Sequence, residues 1–93
     1  MAYTVEIRPA ALEFIQQLTP KYRRQVTSKI EALKNDPRPA NAEQLRGYPQ
    51  FLRIRSGNYR IVYTINDQVL LVTVITVGNR QDIYDRLRRM FER

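Results

Sequence analysis

The chain has 93 residues, 43% of them hydrophobic and 27% charged, which suits one small domain with its own core spanning 1–93 and leaves little room for a second. It contains neither cysteine nor histidine, which excludes disulfides, thiolate nucleophiles, Ser-His-Asp triads and nearly all zinc sites. Lys and Arg number 16 against 9 acidic residues, and the net charge of +7 favours an anionic partner, nucleic acid before an acidic protein.

Nothing in the sequence suggests export or a membrane segment. The longest apolar run, Val69 to Val77, contains two threonines and is shorter than the roughly 20 apolar residues that a membrane-spanning helix needs. The first residues, Met1 to Glu6, lack an apolar signal core after a basic start. We therefore expect the chain to reside in the cytoplasm.

The first part of the chain predicts one strand and two helices. Tyr3 to Arg8 alternates around apolar residues, as a half-buried strand does. Pro9 and then Thr19-Pro20 are helix start signals, and the second helix ends at Asn35-Asp36-Pro37. Because almost nothing separates the helices, they should form an antiparallel hairpin. The apolar faces are Ala11, Phe14, Ile15 and Leu18 in the first helix and Tyr22, Val26, Ile30 and Leu33 in the second.

The second part predicts a loop, three strands and a final helix. Arg38 to Gln50 contains two prolines and a glycine and is interpreted as a loop. Hairpin turns at Gly57-Asn58 and Asn66-Asp67 separate the strands. The final helix, Gln81 to Glu92, would be capped by Asn79 or Asp82. The strands are Phe51 to Arg55, Tyr59 to Ile65 and Val69 to Val77, and the apolar face of the helix is Ile83, Leu87, Met90 and Phe91.

The predicted order β-α-α-β-β-β-α indicates an α+β domain. Consecutive strands joined by short turns form an antiparallel sheet. The N-terminal helical hairpin should pack on one face of that sheet, and the short C-terminal helix is expected on the same side.

Three arginines are predicted to cluster at one hairpin. If Gly57-Asn58 is a two-residue loop, Arg55 pairs with Arg60 and Arg53 with Val62, so the three arginines share a face of the sheet. Like charges directly opposite each other destabilise a sheet, so a polyanion lying across this face would explain the cluster. The alternative is that the guanidinium groups splay into water. The opposite face would carry Leu52, Ile54, Tyr59, Ile61 and Tyr63.

Two further residues are candidates for the same site. Arg80 follows the third predicted strand, and Tyr84 lies at the start of the last helix, one position away from its apolar stripe. Both are expected to converge beside Arg60. The alternatives for Tyr84 are ordinary packing and a solvated position on the helix.

Two segments resemble the signature of the RelE/ParE superfamily of toxins. The first runs from Leu45-Arg46-Gly47 through Arg53-Ile54-Arg55-Ser56-Gly57-Asn58-Tyr59-Arg60 to Tyr63, and the second is Val77-Gly78-Asn79-Arg80-Gln81-Asp82-Ile83-Tyr84. The similarity extends over the whole chain, including its length and the order of its elements.

The resemblance implies a toxin of a type II toxin–antitoxin system that cleaves messenger RNA in the ribosomal A site. In RelE-type members the ribose 2′-OH attacks and neither a metal nor a cofactor is used. Arg53 matches a basic active-site position, and Arg60 matches the arginine that holds the scissile phosphate. Arg80 matches an arginine assigned to transition-state stabilisation or leaving-group protonation, and Tyr84 a tyrosine implicated in proton transfer. Arg53, Arg55 and Arg60 would bind RNA, and a RelB-like antitoxin would be the protein partner.

The chain departs from the family pattern at two positions. Phe51 stands where some RelE toxins have lysine, and Asn79 where many relatives have histidine. Two alternatives therefore stay open: a ParE-like poison of DNA gyrase, which has the fold without the full catalytic set, and a non-catalytic module that binds RNA or antitoxin. Asp82 and Asp85 share a helix face among arginines, which favours capping and ion pairs over a metal site.

Overall fold

A computed structural model of the chain describes residues 2–91. The predicted strand–helix–helix start is confirmed, and both helices begin at the prolines that the sequence indicated. Thr19 occupies the N-cap position of the second helix without a side-chain capping bond. The predicted end of the last helix, Glu92, lies outside the described residues. The elements are β1 (Thr4–Ile7), α1 (Pro9–Gln17), α2 (Pro20–Ala32), β2 (Glu43–Leu45), β3 (Tyr48–Ser56), β4 (Tyr59–Asn66), β5 (Leu71–Asn79) and α3 (Ile83–Phe91).

The α+β class is confirmed, with one strand more than the sequence predicted. The five strands lie in the order β1-β5-β4-β3-β2. The sheet is mixed rather than antiparallel throughout, because β1 runs parallel to β5, a strand to which no short turn connects it; the other neighbours are antiparallel. The interpretation of Arg38 to Gln50 as a loop is wrong at its C-terminal end, because β2 and the start of β3 form a small hairpin there. Gly47 permits it by taking a φ of +82° between the two strands.

Each face of the sheet carries its own apolar core. On one face, α1 and α2 pack on Ile54, Ile61 and Tyr63 through residues such as Ile15 and Ile30. A second cluster lies under α3 and contains Leu45, Phe51, Val62, Ile75, Ile83 and Leu87. Because side chains alternate along β4, Val62 points away from its neighbours Ile61 and Tyr63. The expectation that all helices lie on one side is therefore wrong for α3.

A bulge in β5 prepares the surface on which α3 lies. Val62 pairs with Thr76 and Tyr63 with Val74, which leaves Ile75 as the extra residue of β5. Val74 and Ile75 then contribute to different cores. The bulge thus adds an apolar side chain to the α3 face, which the sequence pattern alone did not indicate.

The β4–β5 turn is longer than predicted. Asn66 pairs directly with Leu71, so four residues rather than two connect the strands. Leu70 has a φ of +54°, and Val69 is 65% exposed. Both residues were assigned to the third predicted strand, and that assignment is wrong because they form the turn.

A polar cluster joins the chain's first strand to this turn. Asp67 accepts a hydrogen bond from the Tyr3 hydroxyl at 2.6 Å and two from the Arg38 guanidinium at 3.1 and 2.8 Å. Beside it, the buried Tyr63 hydroxyl donates to the Pro37 carbonyl at 2.7 Å, and burial raises the pKa of Tyr63 to about 12. These bonds tie the segment after α2 to the sheet.

No helix within residues 2–91 is long and apolar enough to cross a membrane.

The Asp67 carboxylate should give the fold a specific acid sensitivity. The hydrogen bonds from Arg38, and then from Tyr3, lower its pKa from 3.8 to about 2. The stabilisation is therefore fully present above the unfolded pKa and is lost as the pH falls through about 2. We expect Asp67→Asn to lower the melting temperature at about pH 5, and we expect the difference from wild type to shrink as the pH falls toward 2 and to vanish below it. Thermal melts across this range check it, and a difference that does not change with pH would contradict it.

Candidate functional site

The β3–β4 hairpin has the register that places three arginines together. Arg55 pairs with Arg60 and Arg53 with Val62, as the two-residue loop predicted. Gly57 has a φ of +60° at the first central position of the turn, where a type II′ turn requires a positive value. The register is fixed by this turn, and a slip of one residue would move the arginines to the other face.

Arg60 lies at the centre of the cluster and is almost fully enclosed. It belongs to β4, the middle strand, and only 5% of it is exposed. Its Nε atom is buried without a protein hydrogen-bond partner. Burial, followed by the charges of Arg55, Arg53 and Arg80, lowers the pKa of Arg60, whereas Glu43 raises it. An enclosed guanidinium among like charges is unfavourable in the free protein and would be stabilised by a bound anion.

Two clefts meet at this arginine. The hairpin cleft, of about 470 Å³, is lined by Arg55, Gly57, Asn58, Arg60, Asn79, Arg80 and Gln81. The helix cleft, of about 210 Å³, is lined by Arg53, Arg60, Arg80, Ile83 and Tyr84. Arg60 and Arg80 line both clefts, which therefore form one surface that runs from the hairpin turn to the start of α3.

The structure brings all the predicted site residues to this surface. Arg53, Arg60, Arg80 and Tyr84 share the helix cleft, and Arg55 lines the hairpin cleft with Arg60. Tyr84 is half-buried because its ring also packs on the core beneath α3. The Tyr84 side chain therefore forms part of the wall of the helix cleft, which it shares with the arginines.

Glu43 is a member of the cluster that the sequence analysis missed. It lies opposite Arg53 across the β2–β3 pair, and its Oε2 accepts a hydrogen bond from the Arg53 guanidinium at 2.9 Å. The Arg53 side chain is 24% exposed, so this bond holds it against the sheet at the cleft. The alternation that reveals a strand is absent from the three-residue β2, so no sequence signal placed Glu43 near the arginines.

The two departures from the family pattern have structural roles of their own. Phe51 is buried in the core under α3, and its ring lies 5.5 Å from that of Phe91. It therefore anchors the helix that carries Tyr84. The Asn79 amide donates to the Asp82 carboxylate at 3.3 Å, which fixes the segment between β5 and α3.

The acidic residues of α3 serve the helix rather than the clefts. Asp85 is paired with Arg88 one turn further along, as the sequence indicated. The carbonyl of Asp82 accepts the first backbone bond of the helix from Arg86. Within residues 2–91, no group of three or more acidic side chains is arranged to hold a metal ion.

The arrangement favours one kind of chemistry. Several guanidinium groups converge on one small cleft, so they can bind a phosphodiester and stabilise negative charge that develops on it. Arginine is a poor proton donor because its guanidinium group stays protonated near neutral pH. A hydroxyl such as that of Tyr84 is therefore the group in the helix cleft best suited to move or orient a proton.

Comparison with known proteins gives three consistent findings. Residues 5–84 match the family model described as the ParE toxin of type II toxin–antitoxin systems. The mRNA interferase toxin RelE of Escherichia coli strain K12 is 35% identical over 83 residues, which is 87% of this chain and 86% of that protein. An arginine-to-alanine double variant of the same toxin, solved in the free state, superposes with a TM-score of 0.77 at 32% identity and covers 98% of this chain and 99% of that one.

A relative has also been solved with its antitoxin. The toxin chain in the intact RelBE complex of E. coli superposes with a TM-score of 0.71 at 36% identity, over 84% of this chain and 96% of that one.

Proposed function

The chain belongs to the RelE/ParE superfamily of type II toxin–antitoxin toxins, and from this membership we propose that it is an endoribonuclease that inhibits translation. Its substrate is messenger RNA in the A site of the ribosome. The ribose 2′-OH attacks the adjacent phosphate, and no metal takes part. The protein would act in the cytoplasm, where the ribosomes are.

The enclosure of the Arg60 side chain between the two clefts is the observation that carries this proposal. Its guanidinium is enclosed, its Nε has no protein partner, and it lines both clefts. The protein maintains this charge despite the repulsion of its neighbours Arg53, Arg55 and Arg80. A scissile phosphate between the clefts would bring a negative charge close to Arg60 and would reduce the repulsion that its arginine neighbours exert on it.

The residues divide the work by their chemistry. Arg60 holds the scissile phosphate, and Arg80, which lines both clefts, stabilises the charge that builds up on the phosphorane. Arg53, held by Glu43, supplies a further positive charge at the helix cleft. Tyr84 helps to move or orient the proton. The site is strong in electrostatics and weak in proton transfer, which suits an enzyme whose substrate is aligned by the ribosome.

An acidic antitoxin is the proposed protein partner. A similar chain, RelE of E. coli, has been solved in complex with RelB. The clefts offer the positive charge on which a partly disordered acidic segment can fold when it binds, and displacement of α3 would free the apolar surface that Ile83 and Leu87 cover. Binding there would cover the arginines that the reaction requires.

Cleavage should depend on the ribosome. We expect purified protein to cut a message on programmed ribosomes and to leave the same naked RNA nearly intact, because alignment of the 2′-OH contributes much of the rate. Mapping the 5′ ends of the products by primer extension measures both reactions. Equal cutting with and without ribosomes would contradict the proposal.

A second candidate function is poisoning of DNA gyrase, since the matching family model is described as the ParE toxin. A gyrase poison would cause DNA breaks and SOS induction and would leave messages whole. RNA cleavage is favoured by the polar residues that line the helix cleft, Arg53, Arg60, Arg80 and Tyr84. Probing both DNA integrity and message integrity after induction of the protein separates the two functions.

A further inference from the structure

The Arg86 side chain links α3 to a helix on the other face of the sheet. Its guanidinium carbon lies 4.8 Å from the centre of the Phe14 ring, which belongs to α1. α1 contributes to the core on one face of the sheet, and α3 contributes to the core on the other. The side chain of Arg86 therefore extends from the α3 face of the sheet to the α1 face.

The C-terminal end of β5 leaves a passage for this side chain. β1 pairs with β5 only from Leu71 to Val74, so within residues 2–91 no strand flanks the rest of β5 on that side. Gly78 lies in this part of β5, and a β-carbon there would be 3.0 Å from Nε and 3.3 Å from Cδ of Arg86. Both distances are shorter than an ordinary van der Waals contact. The glycine therefore makes room for Arg86 against the strand.

Packing and the aromatic ring hold Arg86 in place. Its Nε is buried without a protein hydrogen-bond partner, and the ion pairs found within residues 2–91 do not include it. A buried donor without a partner is unfavourable, and the attraction of the guanidinium to the face of the Phe14 ring offsets that cost. The Phe14 ring in turn packs edge-on against Tyr59 at 5.8 Å. The link thus ends on the packed core beside α1.

Tyr84 and Arg86 lie on opposite flanks of the apolar stripe of α3. Successive residues of a helix are about 100° apart around its axis, which places Ile83 and Leu87 between the two flanks. Ile83 and Leu87 are buried in the core under the helix. Because apolar contacts are not directional, a contact on each flank defines the rotation of α3 about its own axis better than the stripe alone. Such a rotation would move the Tyr84 side chain relative to the helix cleft.

We propose that Arg86 is a positioning residue for the cleavage reaction: through its contact with Phe14 it fixes the rotation of α3 and so holds the Tyr84 hydroxyl at the helix cleft. This inference rests on the proposed function. Arg86 is not among the residues that line either cleft, so it acts through Tyr84 rather than on the RNA. Accurate placement matters because a displacement of about 1 Å can slow a reaction by about 10²-fold.

The test compares Arg86→Met with Arg89→Met. Both variants lose one positive charge from α3, but Arg89 is exposed and is not the residue that contacts Phe14. Cleavage is measured at saturating ribosomes, and ribosome affinity is measured separately. Arg86→Met should reduce the rate at saturation by about 10-fold and should lose no more affinity than the control. Arg89→Met should leave the rate at saturation unchanged.

A double-mutant cycle with Tyr84→Phe separates positioning from a merely structural role. If Arg86 acts through the Tyr84 hydroxyl, Arg86→Met should reduce the rate by less than about 2-fold once that hydroxyl is absent. Equal losses in the presence and absence of the hydroxyl would overturn the inference.

Phe14→Leu changes the same link from the α1 side and should reproduce the loss of rate seen with Arg86→Met. Thermal melts show whether each variant is folded. Arg86→Met should fold, because it removes a buried donor that has no partner. If Phe14→Leu does not fold, the cycle with Arg86→Met still decides. A folded Phe14→Leu protein with the full rate would overturn the inference.

The position of the Tyr84 ring is measured without cleavage, by NMR of protein with labelled tyrosine. The Tyr84→Phe variant identifies the Tyr84 signals. They should shift in Arg86→Met and stay in place in Arg89→Met, and unshifted signals in Arg86→Met would overturn the positioning role alone. Failure of the proposed function has a different signature, because wild-type protein would then bind ribosomes without cutting any message. That result would also remove Arg86 from the reaction, whatever the NMR signals show.

Discussion

Replacing Arg60 with alanine is expected to slow single-turnover cleavage on programmed ribosomes by about 10²–10³, the usual effect of removing one preorganised donor to a developing negative charge. Arg60 lines both clefts and is almost fully enclosed in the central strand, so its guanidinium is held in place before a phosphate binds. Growth inhibition in cells should be lost at equal expression.

Two control variants separate this chemical role from folding. Arg60→Met keeps most of the side-chain length and removes only the guanidinium, so the free energy of unfolding should not fall, since the repulsion from Arg53, Arg55 and Arg80 disappears. Arg55→Ala removes the cross-strand partner, which is exposed and lines only the hairpin cleft, and should have a smaller effect on the rate. Full toxicity of the Arg60→Ala protein would show that the site is assigned wrongly.

Replacing Tyr84 with phenylalanine is expected to reduce single-turnover cleavage by about 10²-fold or more, the low end of general acid–base effects. The change removes only the hydroxyl and keeps the ring, which packs on the core under α3. Folding and ribosome affinity should therefore hardly change. Rates are measured at saturating ribosomes, so that binding does not enter the comparison.

Tyr84→Ala distinguishes proton transfer from stacking. If the ring only stacks on a base, the Phe variant should be nearly silent and the Ala variant damaging, because base–aromatic stacking contributes roughly 1–3 kcal/mol. Because the Ala variant also loses core contacts, its melting temperature is needed beside its rate. A silent Phe variant would remove Tyr84 from proton transfer.

The parts of the fold that local signals determine could be predicted from the sequence. The prolines at 9 and 20 start their helices where expected. The Gly57-Asn58 turn has two residues, and the whole β3–β4 register follows from that length. The arginine cluster could therefore be predicted from the sequence, because the register of two strands and the alternation of side chains along each strand determine which residues share a face.

The parts that depend on tertiary contacts could not be predicted. β2 has three residues, too few for a visible alternation, and its pairing with β3 is what brings Glu43 to Arg53. The face chosen by α3 depends on the β5 bulge at Ile75, which becomes evident only when β4 and β5 are paired. The apolar residues Val69 and Leu70 suggested a strand, whereas the positive φ of Leu70 belongs to a turn.

The most direct test of the account concerns the attacking group. A message is prepared with a single 2′-deoxyribose at the nucleotide on the 5′ side of the mapped cut, and it is compared with the all-ribose message on programmed ribosomes. The protein is treated with a metal chelator beforehand, and the chelator is removed before the ribosomes are added. We expect the ribose message to be cut to products with a 5′-hydroxyl and a 2′,3′-cyclic phosphate, and the deoxy message to remain uncut at that position. Cutting of both messages at the same position and comparable rates would contradict it.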